Sequence, residues 1–239
     1  HGTLGYGSLR MEDNRIDLHK VPEAPFESRR YLLGPILDSV AKQSSTFLAE
    51  RLSNRQLLKQ AIVFFEQDLL DVQRSDFESL GRTGFVPVVE AAQALDESLT
   101  HALFGYHKAS VDSQRRALEI TLVGAYFTSS AVTAADARKW MQAMCQTPFF
   151  TRALAALGKI SPYREANDSC GWSDLLRQHY FDLCDIVHVR GEPASYRELQ
   201  PSPFVFGGCH TPGFSEDRLA RTADSLLRTI QHIAAIVTL

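Results

Sequence analysis

The chain has 239 residues, of which 44% are hydrophobic and 22% are charged, and its formal net charge is −3. A chain of this length buries enough apolar surface to fold without disulfides or structural metal ions. The small net charge argues against an extensive interface with a phosphate backbone and leaves room only for a local basic patch. No run of 18 apolar residues occurs, so no membrane span is expected.

Apolar residues recur every three to four positions along most of the chain, and no alternating strand pattern exceeds five residues. This periodicity predicts an all-α fold, an antiparallel multi-helix bundle of about eight helices. We expect a single domain over residues 11–239 that includes an N-terminal helical pair at about 29–80. Residues 1–10, which lack a starting methionine, are expected to be an added, processed or disordered end.

Prolines, glycines and small polar residues indicate where these helices begin and end. Helix starts are predicted at or beside Pro35, Asn54, Pro87, Asp112 or Ser113, Thr133, Pro148, Ser173 and Ser215. A break is predicted at residues 81–84, a surface loop at 159–171, a helix stop at 191–193 and an irregular segment at 200–214.

The segment YFDLCDIVHVRG, residues 180–191, contains the histidine of greatest interest. On a helical wheel, Leu183 and Cys184 share a buried stripe with Tyr180, and His188 lies at the edge of that stripe with Asp185 behind it. His179 falls on the far side, about 180° from His188, so the two cannot bind one ion and no metal site is predicted here. His188 either packs as a core histidine or faces a groove between helices.

A second polar pair lies at the rim of another apolar helix, where Arg115 and Glu119 are spaced i, i+4. One interpretation is an ion pair within the helix. The other is that Arg115 or Arg116 faces a groove shared with His188 and binds an anion there.

The four cysteines show no spacing typical of a zinc site. They are Cys145, Cys170, Cys184 and Cys209. We expect reduced and mostly buried thiols in a cytoplasmic protein without a metal or other cofactor.

Two of these helices together resemble a known family. RRALEITLVGAYF (115–127), followed by YFDLCDIVHVRG (180–191), is similar to the HEPN (higher eukaryotes and prokaryotes nucleotide-binding) family, in which an Arg-x-x-x-Glu helix packs on a helix reading Tyr-x-x-Leu-(Ser/Cys)-x-x-x-His. The matching residues are Arg115, Glu119, Tyr180, Leu183, Cys184 and His188. The resemblance covers about residues 87–239. It implies an antiparallel helical bundle, often a homodimer, in a bacterial defence or toxin–antitoxin setting.

Active members of that family are metal-independent RNases that use Arg-x(4–6)-His, and this chain has no arginine five to seven residues before a histidine. The expected function is therefore a non-catalytic HEPN-like domain that binds RNA, a nucleotide or a protein partner. One alternative is an endoribonuclease with His188 as acid/base and Arg190 or Arg177 as the phosphate clamp. The other is a purely structural or partner-binding helical domain. The candidate ligand-binding residues are Arg115, Glu119, Arg177 and Asp185.

Overall fold

The computed structural model describes residues 24–63, 67, 77–187 and 213–239, with side chains described except at 24–33 and 77–85. The chain divides after Pro35 into two compact units. In the first unit the described part is helical. The second unit, Ile36–Leu239, contains the core and every site discussed below.

Nine α-helices and one π-helical turn form the described part of the chain, which contains no strand, so the predicted all-α class is confirmed. The helices are α1 (Ala24–Thr46), α2 (Arg55–Val63), α3 (Phe77–Leu103), α4 (His107–Thr128), α5 (Ala134–Met141), α6 (Phe150–Leu157), α7 (Tyr163–Cys170), α8 (Trp172–Val187) and α9 (Glu216–Thr238). The π-helical turn Phe47–Arg51 follows α1.

The bundle is built around α4, which packs against α3, α6, α8 and α9. Leucine and isoleucine side chains supplied by these helices are almost completely buried: Leu118, Leu122, Leu154, Leu176, Leu183, Leu226 and Ile233. Burial of each such side chain stabilises the fold by roughly 1.5–3 kcal/mol. The i, i+3/i+4 apolar spacing of α4, α8 and α9 therefore corresponds to real core positions.

A polar layer lies inside this core between α3, α4 and α9. Gln114 is fully buried, and its Nε2 donates to Ser98 Oγ at 3.2 Å. Ser225 Oγ donates to Gln114 Oε1 at 2.7 Å. Because a buried amide without partners would be costly, these bonds favour one alignment of the three helices over slipped alternatives.

Several predicted helix boundaries are wrong, and α3 shows why. Helix α3 continues through residues 81–84, where a break was predicted, and it contains Pro87, where a helix start was predicted. A glycine costs a helix about 1 kcal/mol and a proline about 3 kcal/mol. The fully buried Ala91 and Ala94 and the buried Val88 and Leu95 show that α3 is a core helix, whose packing offsets those costs.

The start of α4 also differs from the prediction, because it begins at His107 rather than at Asp112 or Ser113. The turn before it depends on Gly105, whose φ is +77°. A Cβ at Gly105 would lie 2.7 Å from the carbonyl oxygen of Gly213, so a larger residue would force the two segments apart.

The predicted surface loop at 159–171 contains the helix α7, and the predicted start of α1 at Pro35 is eleven residues too late. The Tyr163 side chain is buried and its hydroxyl donates to the carbonyl oxygen of Ile236 at 3.0 Å. That hydrogen bond links α7 to the end of α9. Because the two residues are far apart in the sequence, local composition does not predict this contact.

Other boundaries agree with the prediction. Thr133 caps α5, since its hydroxyl oxygen accepts the Asp136 N–H at 3.2 Å. Asn54 and Ser215 directly precede α2 and α9, although the Ser215 side chain makes no capping hydrogen bond. Gly158 follows the end of α6, as predicted. The predicted stop at 191–193 and most of 200–214 lie outside the described residues.

Candidate functional site

The residues that carry the family resemblance on α4 and α8 meet in the folded chain. Leu118 and Leu122 anchor α4 in the core, and Leu176 and Leu183 do the same for α8. At the edge of this contact Arg115 approaches Tyr180, so the two sequence motifs share one cluster. We call Asp112, Arg115, Glu119, Tyr180 and Cys184 the Arg115 cluster.

The Arg115 guanidinium is held by two carboxylates. Its Nη1 donates to Glu119 Oε2 at 3.2 Å, and its Nη2 and Nε donate to Asp112 Oδ1 at 3.1 and 3.3 Å. The side chain is 22% exposed. Burial lowers the pKa of Arg115, but the hydrogen bonds to Asp112 and Tyr180 and the charges of Glu119 and Asp112 outweigh it, so the net shift is upward. The Arg115 guanidinium therefore stays protonated, and its charge is already balanced by the Asp112 and Glu119 carboxylates.

Tyr180 connects this ion pair to the core. Its ring stacks on Phe150, with centroids 3.7 Å apart and planes 3° from parallel, and is 9% exposed. Burial raises the pKa of Tyr180 to about 12, helped by the Glu119 charge and by Cys184 and opposed by the hydrogen bond from Arg115. The phenol therefore stays protonated near neutral pH.

Cys184 is similarly unreactive. It is buried beside Tyr180, with which it forms a hydrogen bond, and burial raises the pKa of its thiol above the ordinary value. A protonated thiol is a poor nucleophile. The Tyr180 phenol, the Cys184 thiol and the Arg115 guanidinium therefore all keep their protons near pH 7, so none of the three is poised to exchange a proton there.

The other candidate residues are placed as follows. Arg177 is exposed and its Nη1 donates to Asp174 Oδ1 at 3.1 Å, within α8. Asp185 is exposed next to Cys184, and its charge helps to raise the pKa of that thiol. Among the described contacts, none joins Arg177 or Asp185 to Arg115. His188 and Arg190 lie outside the described residues.

Arg116, the other arginine considered for anion binding, points to a different neighbour. It forms an ion pair with Glu97 that links α4 to α3 at the surface, where both side chains are about half exposed. Arg115 and Arg116 therefore belong to separate contacts.

The wheel prediction for His179 is wrong. His179 is buried rather than on the far side of α8, its Nε2 hydrogen bonds with Thr229 Oγ1 at 2.9 Å, and its ring stacks on His232 at 5.2 Å. A wheel with one buried stripe fails because α8 packs against α4 on one side and α9 on another. Burial lowers the pKa of His179 to about 4, with smaller contributions from the charges of His232 and Arg228.

The prediction of mostly buried thiols is also wrong for two cysteines. Cys145 and Cys170 are exposed, Cys184 is buried, and Cys209 lies outside the described residues.

Within the part of the chain that the structure describes, no group of three or more His, Cys, Asp or Glu side chains is arranged to hold a metal ion. No helix in that part is long and apolar enough to cross a membrane.

A groove borders the Arg115 cluster and was not predicted from the sequence. It lies between α3, α4 and α5, has a volume of about 470 Å³, and includes Glu119 in its wall. Its residues are Val86, Pro87, Glu90, Glu119, Ile120, Val123, Trp140, Met141 and Thr147. Val86 and Glu90 lie one turn apart on α3 and form one wall of the groove. The predicted helix start at Pro87 left Val86 outside the helix, so the prediction did not place the two residues on one face.

Comparison of the chain with protein-family models, with curated proteins and with solved structures finds no match. The fold and the site define an all-α helical protein in which Arg115 is paired with two carboxylates beside an open groove.

Proposed function

We propose that this chain is a non-catalytic, HEPN-like helical domain whose function is to bind a protein partner in the cytoplasm. The observation that carries the proposal is the state of Arg115, the arginine of the family-like motif. Its guanidinium donates to Asp112 and Glu119 and contacts Tyr180. A phosphate at this position would have to displace both carboxylates.

The charge of the Arg115 cluster supports a protein ligand over RNA or a nucleotide. One guanidinium faces two carboxylates, so the ionised side chains of the cluster sum to −1. Phosphate groups are repelled by such a surface, and nucleic-acid interfaces instead carry an excess of Lys and Arg. A protein segment with positive side chains would find complementary charge.

The resemblance also implies a homodimer and a bacterial defence or toxin–antitoxin setting, and we include both in the proposal. Sedimentation or light scattering over a range of protein concentrations tests the dimer. A chain that stays monomeric at every concentration would remove the homodimer from the proposal and leave the protein-binding function in place.

The binding function is tested by affinity capture from an extract of the source organism, with and without prior treatment of the extract by RNase. We expect one or more proteins to be retained in both samples in stoichiometric amounts. Retention of RNA, or loss of all retained protein after RNase treatment, would contradict the proposal and favour the nucleic-acid alternative.

The non-catalytic part is tested separately with labelled single-stranded RNA incubated with the purified chain in EDTA. We expect no cleavage above that of a buffer control. Cleavage that disappears in His188→Ala while the melting temperature is unchanged would refute the proposal and establish the endoribonuclease alternative. Thermal-shift assays with ATP, GTP and their mono- and diphosphates should show no stabilisation, since a nucleotide bound to the folded chain raises its melting temperature.

A further inference from the structure

The groove beside the Arg115 cluster combines apolar walls with an acidic rim. Ile120 and Met141 contribute apolar surface, and Val86 and Met141 each keep 37% of their area exposed. Large apolar side chains that remain exposed along a concave surface are typical of a place where another molecule binds. The volume of about 470 Å³ is large enough for one or two side chains of a partner.

Two carboxylates give the groove its charge. Glu90 of α3 and Glu119 of α4 both line it, and none of the described side chains that line it is a lysine, arginine or histidine. Glu119 shares Arg115 with Asp112, so that cation is divided between two anions. Within the described residues Glu90 forms no ion pair. The rim therefore keeps a negative charge that a cation would complement.

Trp140 forms a fixed aromatic wall of the same groove. Its ring stacks on Phe127 with centroids 4.4 Å apart and planes 8° from parallel, and its Nε1 donates to Thr147 Oγ1 at 3.1 Å. Phe127 packs with the buried Val123 and Ala137, which holds the pair against the body of the protein. An indole held in this way needs no rearrangement to receive a ligand, and an aromatic ring attracts a nearby cation.

We propose that the groove binds an arginine-bearing, amphipathic peptide segment of a partner protein. The methylene stem of the arginine lies against Trp140 and Met141, and its guanidinium reaches Glu90 and Glu119. An apolar neighbour in the segment contacts Ile120 and Val86. Arginine fits better than lysine because its planar guanidinium can donate to two carboxylates and stack on an indole.

This inference rests on the proposed protein-binding function and adds the site and the chemistry of the partner. A nucleic acid does not fit the same groove, because the two carboxylates would face its phosphates. An acidic peptide does not fit for the same reason.

The test uses two fluorescein-labelled twelve-residue peptides with the same leucines at helical spacing, one carrying arginines and the other glutamates at the remaining charged positions. Fluorescence anisotropy is measured against the full chain, at low and at moderate salt. We expect saturable binding of the arginine peptide, weakened by salt, and no binding of the glutamate peptide.

Variants then locate the binding site. Glu90→Gln and Glu119→Gln should each weaken the arginine peptide about two- to five-fold, as expected for loss of one exposed ion pair. The double variant should weaken it more than either single variant does, and not by the simple product of the two factors, because both carboxylates contact the same guanidinium. Asp182→Asn removes one exposed carboxylate from α8, away from the groove, and should leave the affinity unchanged. Circular dichroism melts of all variants check that the fold is retained.

Three results would overturn the inference. The first is that the wild-type chain shows no saturable binding of the arginine peptide. The second is that the Glu90→Gln/Glu119→Gln double variant binds the peptide with wild-type affinity. The third is that Asp182→Asn loses as much affinity as the groove variants, which would indicate nonspecific charge attraction. The same double variant in the capture experiment separates the two proposals. If the double variant retains the partner as well as the wild type does, the protein-binding function stands and the groove is not the binding site. If neither the wild type nor the double variant retains a partner, the proposed protein-binding function is wrong.

Discussion

Two buried histidines should make the stability of this fold depend steeply on pH below neutrality. His179 lies between α8 and α9, and His107 lies at the start of α4, where its Nδ1 hydrogen bonds with Thr222 Oγ1 at 3.1 Å. Burial lowers the pKa of each to about 4 from an ordinary value of 6.5. For His107 the charge of Arg218 is a smaller part of the same shift.

The direction of the effect follows from which state binds the proton. As the pH falls from 6.5 to 4, the unfolded chain takes up protons at these two histidines before the folded chain does, so the free energy of unfolding decreases. The loss is about 1.4 kcal/mol per pH unit for each histidine. From pH 7.5 to 5.0 each histidine therefore removes about 2 kcal/mol, a sizeable part of the 5–15 kcal/mol typical of a domain.

The assay is urea unfolding followed by circular dichroism at pH 7.5, 6.0 and 5.0, for the wild type, His107→Gln, His179→Gln and the double variant. Glutamine keeps a hydrogen-bonding group but does not titrate. Each single variant should lose about 2 kcal/mol less than the wild type between pH 7.5 and 5.0. The double variant should lose about 4 kcal/mol less, because the two sites share no hydrogen-bond partner.

The readout is the change with pH, so any stability that a substitution costs at pH 7.5 does not affect it. A His179→Gln variant whose stability falls between pH 7.5 and 5.0 as much as that of the wild type would refute the reasoning. His232, whose pKa burial also lowers, stacks on His179 and should contribute a smaller loss in the same pH range.

Three further substitutions test the packing around the Arg115 cluster, all by urea unfolding at pH 7.5. Phe150→Ala removes a ring that is 2% exposed and stacked on Tyr180, and should cost about 3–5 kcal/mol; a loss below 1 kcal/mol would contradict the stacked, buried placement. Gln114→Ala leaves the buried Ser98 hydroxyl and the half-buried Ser225 hydroxyl without their amide partner and should cost about 1–3 kcal/mol; an unchanged stability would argue against that polar layer. Arg115→Gln should cost about 1–2 kcal/mol because it leaves the half-buried Glu119 carboxylate without its cation. Arg116→Gln at an exposed ion pair should cost less than about 1 kcal/mol, and equal losses in the two variants would show that Arg115 has no special role.

The helical class and much of the core could be predicted from the sequence because both depend on local periodicity. The apolar stripe of α9, from Leu219 to Ile230, is buried as its spacing predicts. The ion pair of Arg115 and Glu119, one of the two interpretations of their i, i+4 spacing, is the one that the structure shows, since neighbours one turn apart on a helix can meet in any tertiary context.

The helix boundaries, and the burial of a second face of α8, could be found only from the tertiary structure. The helix propensities of Gly81, Gly84 and Pro87 favour a break, yet α3 continues because its later residues are buried in the core. His179 looks solvent-facing on a wheel that assumes one buried stripe, and is buried because α9 covers a second side of α8.

The sequence by itself determined that the chain is helical, which residues form the main apolar stripes, and that Arg115 and Glu119 lie one turn apart on one helix. Only the tertiary structure decided that Tyr180 also holds Arg115, and that Glu90, Glu119 and Trp140 line one groove. The physical reason is that periodicity encodes which face of a helix is buried. It does not encode which helix covers that face, and the charge balance of a site depends on groups that several helices bring together.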